Sequence, residues 1–526
     1  MQIGSRNNQH SFAQIPQIGI NRSMFDRSYE VKDTFEFDYI YPFYWDEVLP
    51  GDTFNVNIQT FARLATSKVP IMDRLYASYE FFFVPYRLVW TNFRKMVGEQ
   101  DNPADSTAYT FPTCTGPAVT GFVNGALHEK MGVPPGIASL QLKNHLPVRA
   151  YNLIYREWYR DQNLINSPTV DTGDGPDTYS NYVLRKRAKA HDYFTSALPW
   201  PQKNNTGVNV ALPLAGEATV KRYSNTTYVT TYLAGTNTYP SDGAVSTSGG
   251  FLSRSGSGNI SIEPNGTLYA DLSTATSATI NQWRQAMQLQ GLFELDARGG
   301  SRFVEIIANH FNTVLPDFTA QRPEYLGGKH VDINSHPVAQ TAITSGSNAL
   351  GQLGAFGTHS ASGLGFRKSF NEWGVVMGMV TFRAAITYQQ GLHRSWMRST
   401  RYDMFWPMLE GIGEQAINLG ELYCAGSSDD YNAFGYQERY AEYRYKPSEI
   451  RGIFRSTYST PIDQWHMAQK FTSAPTLNQT FIESSTPITR NIAVTGEPPI
   501  IFDAFINQMC ARPMKTYATP VQLGRF

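Results

Sequence analysis

Runs that alternate apolar and polar residues near both ends of the chain constrain its fold most. Residues 33 to 41 alternate aromatic and polar side chains, a second run at 54 to 58 alternates apolar and polar ones, and the sequence LPGD at 49 to 52 separates the two. Residues 75 to 84, LYASYEFFFV, predict a third strand. A period of two is typical of half-buried β-strands, and short connections favour antiparallel pairing of consecutive strands.

The middle and the second half of the chain mix two periods. Apolar residues at helical spacing predict helices at 148 to 164 and 282 to 296, and a third that begins after Ser301, with their aromatic stripes in the core. Strand patterns return at 374 to 388 and at 439 to 445, RYAEYRY. Strands near both ends of the chain indicate a mainly β protein, an antiparallel sandwich or jelly roll with greatly enlarged connections.

The composition indicates extensive contact with other subunits. Aromatic residues make up 13% of the chain, whereas charged residues make up only 17%. Interface cores show the same depletion of charge and enrichment of aromatic side chains. Lys plus Arg and Asp plus Glu both number 44, so a chain with zero formal net charge needs a cationic partner if it encloses nucleic acid.

Patterns typical of enzymes and metal proteins are weak or missing in the sequence. Cys114, Cys424 and Cys510 show no CxxC spacing, which indicates neither a disulfide framework nor a zinc site. His330 and His336 form a close pair that is better explained as part of a polar loop than as metal ligands. GIGEQA at 411 to 416 matches a dinucleotide-binding pattern only weakly, and its glycines are interpreted as turn residues. We therefore expect no enzymatic activity and no cofactor.

The densest basic cluster has two interpretations. It comprises Arg185, Lys186, Arg187 and Lys189 in LRKRAKAH. It could face packaged DNA, where each phosphate contact adds a salt-sensitive contribution to binding. A solvated face or a patch of salt bridges between subunits is the favoured interpretation.

Two segments lie outside the regular patterns. Residues 1 to 30 predict an extended arm that becomes ordered on a neighbouring subunit, with Ile15, Ile18, Ile20 and Phe25 as its contacts. Residues 204 to 279 are rich in Ser, Thr, Gly and Asn and could be a disordered linker. Interleaved aromatic residues favour instead a β-rich surface protrusion, with Tyr228, Tyr232, Tyr239 and Phe251 as candidate receptor contacts.

Several long motifs resemble the major capsid proteins of gokushoviruses, which belong to the Microviridae. Those in the first half are IPQIGINRSMFDRS (15 to 28), DEVLPGDTF (46 to 54), ARLATSKVPIMD (62 to 73), FFFVPYRLVW (81 to 90) and HDYFTSALPWPQK (191 to 203). Those in the second half are PDFTAQRPEYLGG (316 to 328), EYRYKPSEIRGIFRS (442 to 456) and CARPMKTYATP (510 to 520). The resemblance covers the whole chain except residues 204 to 279, where the family carries a variable insertion.

The resemblance implies a single eight-stranded antiparallel jelly roll with long loop insertions, spanning residues 31 to 526 behind the arm. It implies pentamers of this chain in a T=1 icosahedral shell around a circular single-stranded DNA genome. Implied partners are a small basic DNA-binding protein, an internal scaffolding protein, a pilot protein and a receptor on a bacterial host.

The expected location is the virion, after synthesis and assembly in the host cytoplasm. No membrane insertion is expected, because the sequence has no apolar run of membrane-spanning length. The alternative class is a carbohydrate-binding or carbohydrate-acting β-sandwich protein. Such a protein would need a cleft with convergent carboxylates or a metal, and no self-assembly.

Overall fold

The computed structural model describes residues 21–201, 203, 280–339, 341 and 353–517, and between 203 and 280 it describes the backbone of six short strands. The chain divides into two compact units, Met1–Pro201 with Gly299–Phe526 and Gln202–Arg298. The strands of the first unit are β1 Ser23–Asp26, β2 Tyr29–Phe35, β3 Tyr41–Val48, β4 Thr53–Ser67, β5 Leu75–Pro85, β6 Cys114–Thr115 and β7 Gln141–Leu142. Those of the second unit are β8 Val220–Arg222, β9 Thr231–Leu233, β10 Val245–Ser248, β11 Phe251–Arg254, β12 Ile260–Ile262 and β13 Leu268–Ala270. The first unit continues with β14 Glu324–Ala339, β15 Leu353–Ser369, β16 Gly374–Ala384, β17 Glu414–Asn418, β18 Ala433–Glu438 and β19 Ile500–Arg512.

The helices are mostly short. The α-helices are α1 Tyr86–Val89, α2 Phe93–Met96, α3 Leu127–Lys130, α4 Leu146–Ile154, α5 Ile280–Gly299, α6 Phe303–Phe311 and α7 Gln479–Ile482. A π-helical turn at Tyr155–Tyr159 continues α4. The 3₁₀ helices are Tyr179–Asn181, Arg394–Met397, Arg401–Asp403, Pro407–Ile412, Leu419–Glu421, Ser428–Tyr431, Ala441–Tyr443, Gly452–Phe454, Asp463–Trp465 and Ile488–Arg490. Among the described residues, no helix combines the length and the apolar character needed to cross a membrane.

Eight long strands of the first unit form two antiparallel four-stranded sheets. The first sheet has the order β2-β19-β4-β15, and the second has the order β14-β5-β16-β3. β14 joins them, because Glu324–Ile333 pairs with β5 whereas Asn334–Ala339 pairs with β15. β1 extends the first sheet by pairing with the end of β19. This order is that of an eight-stranded jelly roll, so the predicted fold is confirmed.

The predicted pairing of consecutive strands is wrong for the first three long strands of the sandwich. β3 pairs with β16, β4 pairs with β15 and β19, and β5 pairs with β14 and β16. The turn before β4 does fall at the predicted LPGD, where Gly51 has a φ of 89°. This turn connects β3 of the second sheet to β4 of the first, however, because the first four long strands of the jelly roll alternate between its two sheets.

The core lies between the two sheets and is rich in aromatic rings. Phe43 of β3 and Phe502 of β19 meet edge to face across the sandwich with ring centroids 5.8 Å apart. The second sheet is buried on its outer face too, where Met377 of β16 packs with Trp90 and Tyr151. Burial on both faces explains why the sequence of β16 is almost entirely apolar, with only Thr381 and Arg383 as polar residues.

Two predicted strands differ from the structure. The run at 33 to 41 is split between β2 and β3, because Asp38 takes a left-handed conformation with a φ of 72° and accepts a hydrogen bond from Ser484 Oγ at 2.6 Å. The run at 439 to 445 is not a strand: Tyr440 has a φ of 62°, and residues 441 to 443 form a 3₁₀ helix. The strand predicted at 374 to 388 is confirmed over Gly374–Ala384.

All three predicted helices are present, but two of their stripes are not core. α4 with its π-helical turn and α5 overlap the predicted regions and extend slightly beyond them, and α6 begins after Ser301 as predicted. Every residue of α4 is buried, as expected, whereas α6 has no buried residue and leaves Phe303 and Phe311 exposed. Trp283 and Met287 of α5 are exposed as well. The helical period identified apolar residues on α5 and α6, and these four side chains are exposed in the part of the chain that the structure describes.

The second unit contains three nested antiparallel pairs. β8 pairs with β13, β9 pairs with β12, and β10 pairs with β11. α5 follows them, and its residues up to Arg298 belong to this unit. The strands fall in the region for which the sequence favoured a β-rich excursion over a linker.

Candidate interaction surfaces and buried polar clusters

A group of large apolar side chains projects from residues 394 to 412. This aromatic surface consists of Trp396, Tyr402, Met404, Phe405, Trp406, Met408 and Ile412, whose exposed fractions lie between 45% and 93%. Three successive 3₁₀ helices carry Trp396, Tyr402, Met408 and Ile412, and the other three residues lie in the connection between the second and the third helix. In an α-helix or a strand some of the seven would turn inward, whereas these short turns leave all of them outward.

The backbone beneath the aromatic surface is held by polar contacts. Arg394 donates to the carbonyl of Ala416 and to Glu421 Oε1, both at 2.7 Å. The Asp403 carboxylate accepts from the backbone N–H of Thr400 at 2.7 Å, which closes the turn below Tyr402 and Met404. These contacts fix the backbone that carries the exposed apolar side chains. Less conformational entropy is therefore lost when another surface covers them.

Arginine side chains accompany the exposed rings. The guanidinium of Arg398 lies 4.5 Å from the centroid of Tyr443, and that of Arg401 lies 5.7 Å from the centroid of Trp406. Trp, Tyr, Met and Arg are the residue types enriched in the centres of protein interfaces. The composition of this surface is therefore that of an interface before its partner is bound.

The predicted basic cluster is engaged largely inside the subunit. Arg187 donates to both carboxylate oxygens of Glu80, at 2.9 Å and 2.8 Å, and its guanidinium lies 4.9 Å from the ring centroid of Tyr159. Lys189 is buried, donates to Gln469 Oε1 at 2.8 Å and lies over the ring of Phe481. These contacts occupy the side chains of Arg187 and Lys189. Arg185 and Lys186 are therefore the better candidates in the cluster for contact with an anion outside the subunit.

Arg185 and Lys186 are half-buried and lie against aromatic rings. The guanidinium of Arg185 is 5.6 Å from the centroid of Tyr155, and the ammonium of Lys186 is 5.4 Å from that of Tyr39. Long basic side chains can pack their stems on apolar surface and keep the charged head in water. Contact of the cluster with DNA remains a prediction, and it is now focused on these two residues.

Lys189 gives a pH-dependent prediction. Burial lowers the pKa of its ammonium from 10.5 to about 8. Between these values the unfolded chain binds more protons than the folded chain, so the free energy of unfolding should rise as pH increases from 8 to 10.5, by about 3 kcal/mol at most. Lys189→Met should remove this rise in urea unfolding, whereas Lys186→Met should retain it. Equal pH profiles for wild type and Lys189→Met would show that Lys189 is not buried as described.

The predicted arm is described only in part. Ile15, Ile18 and Ile20 lie outside the described residues. Phe25 lies in β1, opposite Cys510 of β19 in the same chain. Residues 23 to 26 thus add to the sheet of their own subunit, and the contact of the arm with a neighbour stays a prediction.

The predicted receptor contacts are also described in part. Tyr228 and Tyr239 lie outside the described residues. Tyr232 is in β9 opposite Ser261, and Phe251 begins β11 opposite Ser248. Their place in paired strands agrees with a β-rich segment, and their contact with a receptor stays a prediction.

A buried cluster that sequence spacing missed joins Cys114, His128 and His145. All three residues are fully buried, and one ligand atom from each lies within 4.8 Å of the others. The Nε2 atoms of the two histidines are 3.0 Å apart. The three residues come from β6, from α3 and from the position before α4. No short motif could have revealed the cluster, because 14 and 17 residues separate its members along the chain.

A buried ion pair adjoins this cluster. His145 Nδ1 lies 2.6 Å from Asp177 Oδ2, and Arg149 donates to both oxygens of the same carboxylate, at 2.5 Å and 2.7 Å. Burial alone would raise the pKa of Asp177, but the hydrogen bonds from Arg149 and His145 outweigh it and lower that pKa to about 2. Burial also lowers the pKa of His128 to about 3 and raises that of Cys114 to about 12. The carboxylate is therefore charged, and it orients His145.

His330 and His336 do not form a joint site. His330 Nδ1 bonds to Ser78 Oγ at 2.8 Å, and His336 Nε2 bonds to Thr358 Oγ1 at 3.0 Å. Both residues belong to β14, so the interpretation as a polar loop is wrong. Gly413 has a φ of 84°, which confirms its interpretation as a turn residue in GIGEQA.

Comparison with known proteins connects the fold to a family. The family model described as capsid protein (F protein) matches residues 13–522. Capsid protein VP1 of Bdellovibrio phage phiMH2K is 50% identical, with all of both chains covered. Capsid protein VP1 of Chlamydia phage 1 is 38% identical and that of Spiroplasma virus 4 is 31% identical, each with 97% of both chains covered. With its jelly roll and its uncovered aromatic surface, the chain belongs to the capsid protein (F protein) family, as a major capsid protein of the gokushovirus type.

Proposed function

We propose that copies of this capsid protein form pentamers and close into a T=1 icosahedral shell by burying the aromatic surface against neighbouring copies. The observation that carries the proposal is the exposure of seven large apolar side chains within residues 394 to 412. Surfaces of this kind on soluble proteins mark interaction sites, because water contact with that much apolar area is unfavourable. Membership of a capsid family supports a second copy of this chain as the partner.

In a closed shell, each contact between two subunits can have a lower affinity than an isolated interface would need. A standard protein interface buries roughly 1,600 Å² in total. In a closed shell each subunit is held by several neighbours at once, so the contacts reinforce one another. Further apolar groups are available for this purpose on the outer face of the first sheet, where Phe61, Ile501 and Phe505 are exposed.

The proposed cargo is a circular single-stranded DNA genome. The zero formal net charge of the chain cannot offset the phosphates of a packaged genome. A small basic DNA-binding protein would supply the missing positive charge, and Arg185 and Lys186 are the proposed contacts from the shell itself. An internal scaffolding protein and a pilot protein complete the proposed set of virion partners.

The assembly proposal can be tested with the purified chain, alone and with its scaffolding protein. We expect analytical ultracentrifugation to show pentamers or shells, and electron microscopy to show uniform icosahedral particles. Monodisperse monomers under both conditions, at all protein concentrations, would contradict the proposal.

The insertion at residues 204 to 279 is the proposed protrusion that contacts the host receptor. Its nested strand pairs offer a β-rich support, and Tyr and Phe provide contact area at a low entropy cost. Exchanging residues 210 to 275 between related phages should transfer host range in adsorption assays. An exchange between two strains with the same host is the control, and unchanged host range after the first exchange would contradict the role.

A further inference from the structure

We propose that Cys114, His128 and His145 bind one zinc ion inside each subunit. Their donor atoms converge from three separate segments, β6, α3 and the residue before α4, to within 4.8 Å of one another. All three side chains are excluded from solvent. No exposed residue belongs to the cluster, which distinguishes it from a chance grouping of polar side chains on a surface.

The donor set and its spacing suit zinc. Zinc prefers thiolate sulfur and imidazole nitrogen, whereas magnesium and calcium prefer oxygen. Tetrahedral bonds of about 2.0–2.1 Å to nitrogen and about 2.3 Å to sulfur place two nitrogens roughly 3.3 Å apart and sulfur roughly 3.6 Å from nitrogen. The two Nε2 atoms, 3.0 Å apart, would need to separate by only a few tenths of an ångström. A water molecule would fill the fourth position.

The surroundings of His145 match those of a metal-bound histidine. Ligating histidines usually donate their second ring N–H to a carboxylate, which fixes the tautomer and raises the basicity of the ligating nitrogen. Asp177 Oδ2 lies 2.6 Å from His145 Nδ1 and is itself held by Arg149. Nδ1–H of His145 therefore points to Asp177, and its Nε2 lone pair points into the cluster.

His128 presents its Nε2 atom to the same point as His145. Its side chain is fully buried, and its Nε2 atom lies 3.0 Å from His145 Nε2. Because Nδ1 of His145 is bonded to Asp177, a zinc ion would accept the Nε2 lone pairs of both rings, which otherwise face each other. The competing explanation is that the two imidazoles share one proton between their Nε2 atoms and that Cys114 acts only as a small apolar side chain.

A zinc ion at this position would fasten segments that have little regular structure. β6 and β7 have two residues each and α3 has four, so hydrogen bonds within these elements stabilise them weakly. Metal bonds between residues 114, 128 and 145 would tie these segments to α4, which packs on the outer face of the second sheet. Zinc would then contribute to subunit stability, because the site exists only in the folded chain.

The test is the zinc content of purified subunits after dialysis against metal-free buffer. We expect about one zinc per chain in the wild type and less than about a tenth of that in Cys114→Ser and in His145→Gln. Cys510→Ser, which changes another buried cysteine, and Cys424→Ser are the matched controls and should retain the metal. Wild-type protein without zinc, or equal loss of zinc in the controls, would overturn the proposal.

Replacing zinc with cobalt tests the proposed site in the wild-type protein. This test therefore does not depend on whether a variant of the cluster folds. Wild-type protein produced in cobalt-supplemented, zinc-depleted medium should show a thiolate-to-cobalt charge-transfer band in the near ultraviolet. The same band should persist in Cys424→Ser and Cys510→Ser. Cobalt bound without a thiolate band, or no bound cobalt, would exclude Cys114 as a ligand and overturn the proposed site.

Discussion

Met408→Asp is expected to abolish shell formation and to leave the subunit folded. Met408 is 93% exposed in the single chain, so the substitution disturbs no internal packing and should change the free energy of unfolding by no more than about 0.5 kcal/mol. In the proposed shell the same side chain is covered by a neighbour. An unpaired carboxylate buried there costs several kcal/mol at each contact, and every copy in the shell carries it.

Two measurements separate the effect on assembly from an effect on folding. Sedimentation and electron microscopy should show subunits or pentamers in place of shells, while urea unfolding of the subunit should match that of the wild type. Met408→Leu preserves the apolar surface and is expected to form normal shells. Normal shells from Met408→Asp would show that the aromatic surface lies outside the subunit contacts.

The sandwich could be predicted from local patterns because two kinds of strand are recognisable in the sequence. β4 alternates buried and exposed residues along most of its length, whereas β16 is buried on both faces and has only two polar residues, Thr381 and Arg383. β14 and β15 were missed because glycines and polar residues break their alternation, as in LGGKH at 326 to 330. Their position is set by pairing with β5 and β4, and these contacts are distant in sequence.

The patterns of apolar residues predicted which side of a helix or strand is apolar. They were less successful in predicting which part of the protein packs against that side. α6 was expected in the core because Phe303, Ile306 and Phe311 recur at helical spacing, yet no residue of this helix is buried within the chain. The segment RYAEYRY was predicted to be a strand, but Tyr440 and Tyr443 instead pack edge to face with Phe405 at the aromatic surface. If the proposed shell forms, part of this periodicity reflects contacts with other copies.

Arg187 shows why a basic run in sequence need not be a nucleic-acid site. Its guanidinium and the Glu80 carboxylate retain only 17% and 15% of their side-chain exposure. Burial would raise the pKa of Glu80, yet the charge of Arg187 and its hydrogen bonds lower it, so both groups are charged. Tyr159 Oη donates to the same carboxylate, which completes its hydrogen bonding. The charge of Arg187 is thus matched inside the protein and offers little to a phosphate.

Arg187→Ala should therefore lower the free energy of unfolding of the subunit by about 3–5 kcal/mol, because it leaves Glu80 buried without its cation. Arg74→Ala is the matched control, since Arg74 pairs with Asp332 at the surface, where both side chains are more than half exposed, and its loss should cost about 1 kcal/mol or less. Urea unfolding measures both. The salt dependence of single-stranded DNA binding should be unchanged in Arg187→Ala, because an internal ion pair releases no counterions from DNA. A variant with wild-type stability but a shallower salt dependence would place Arg187 at the DNA and refute its internal role.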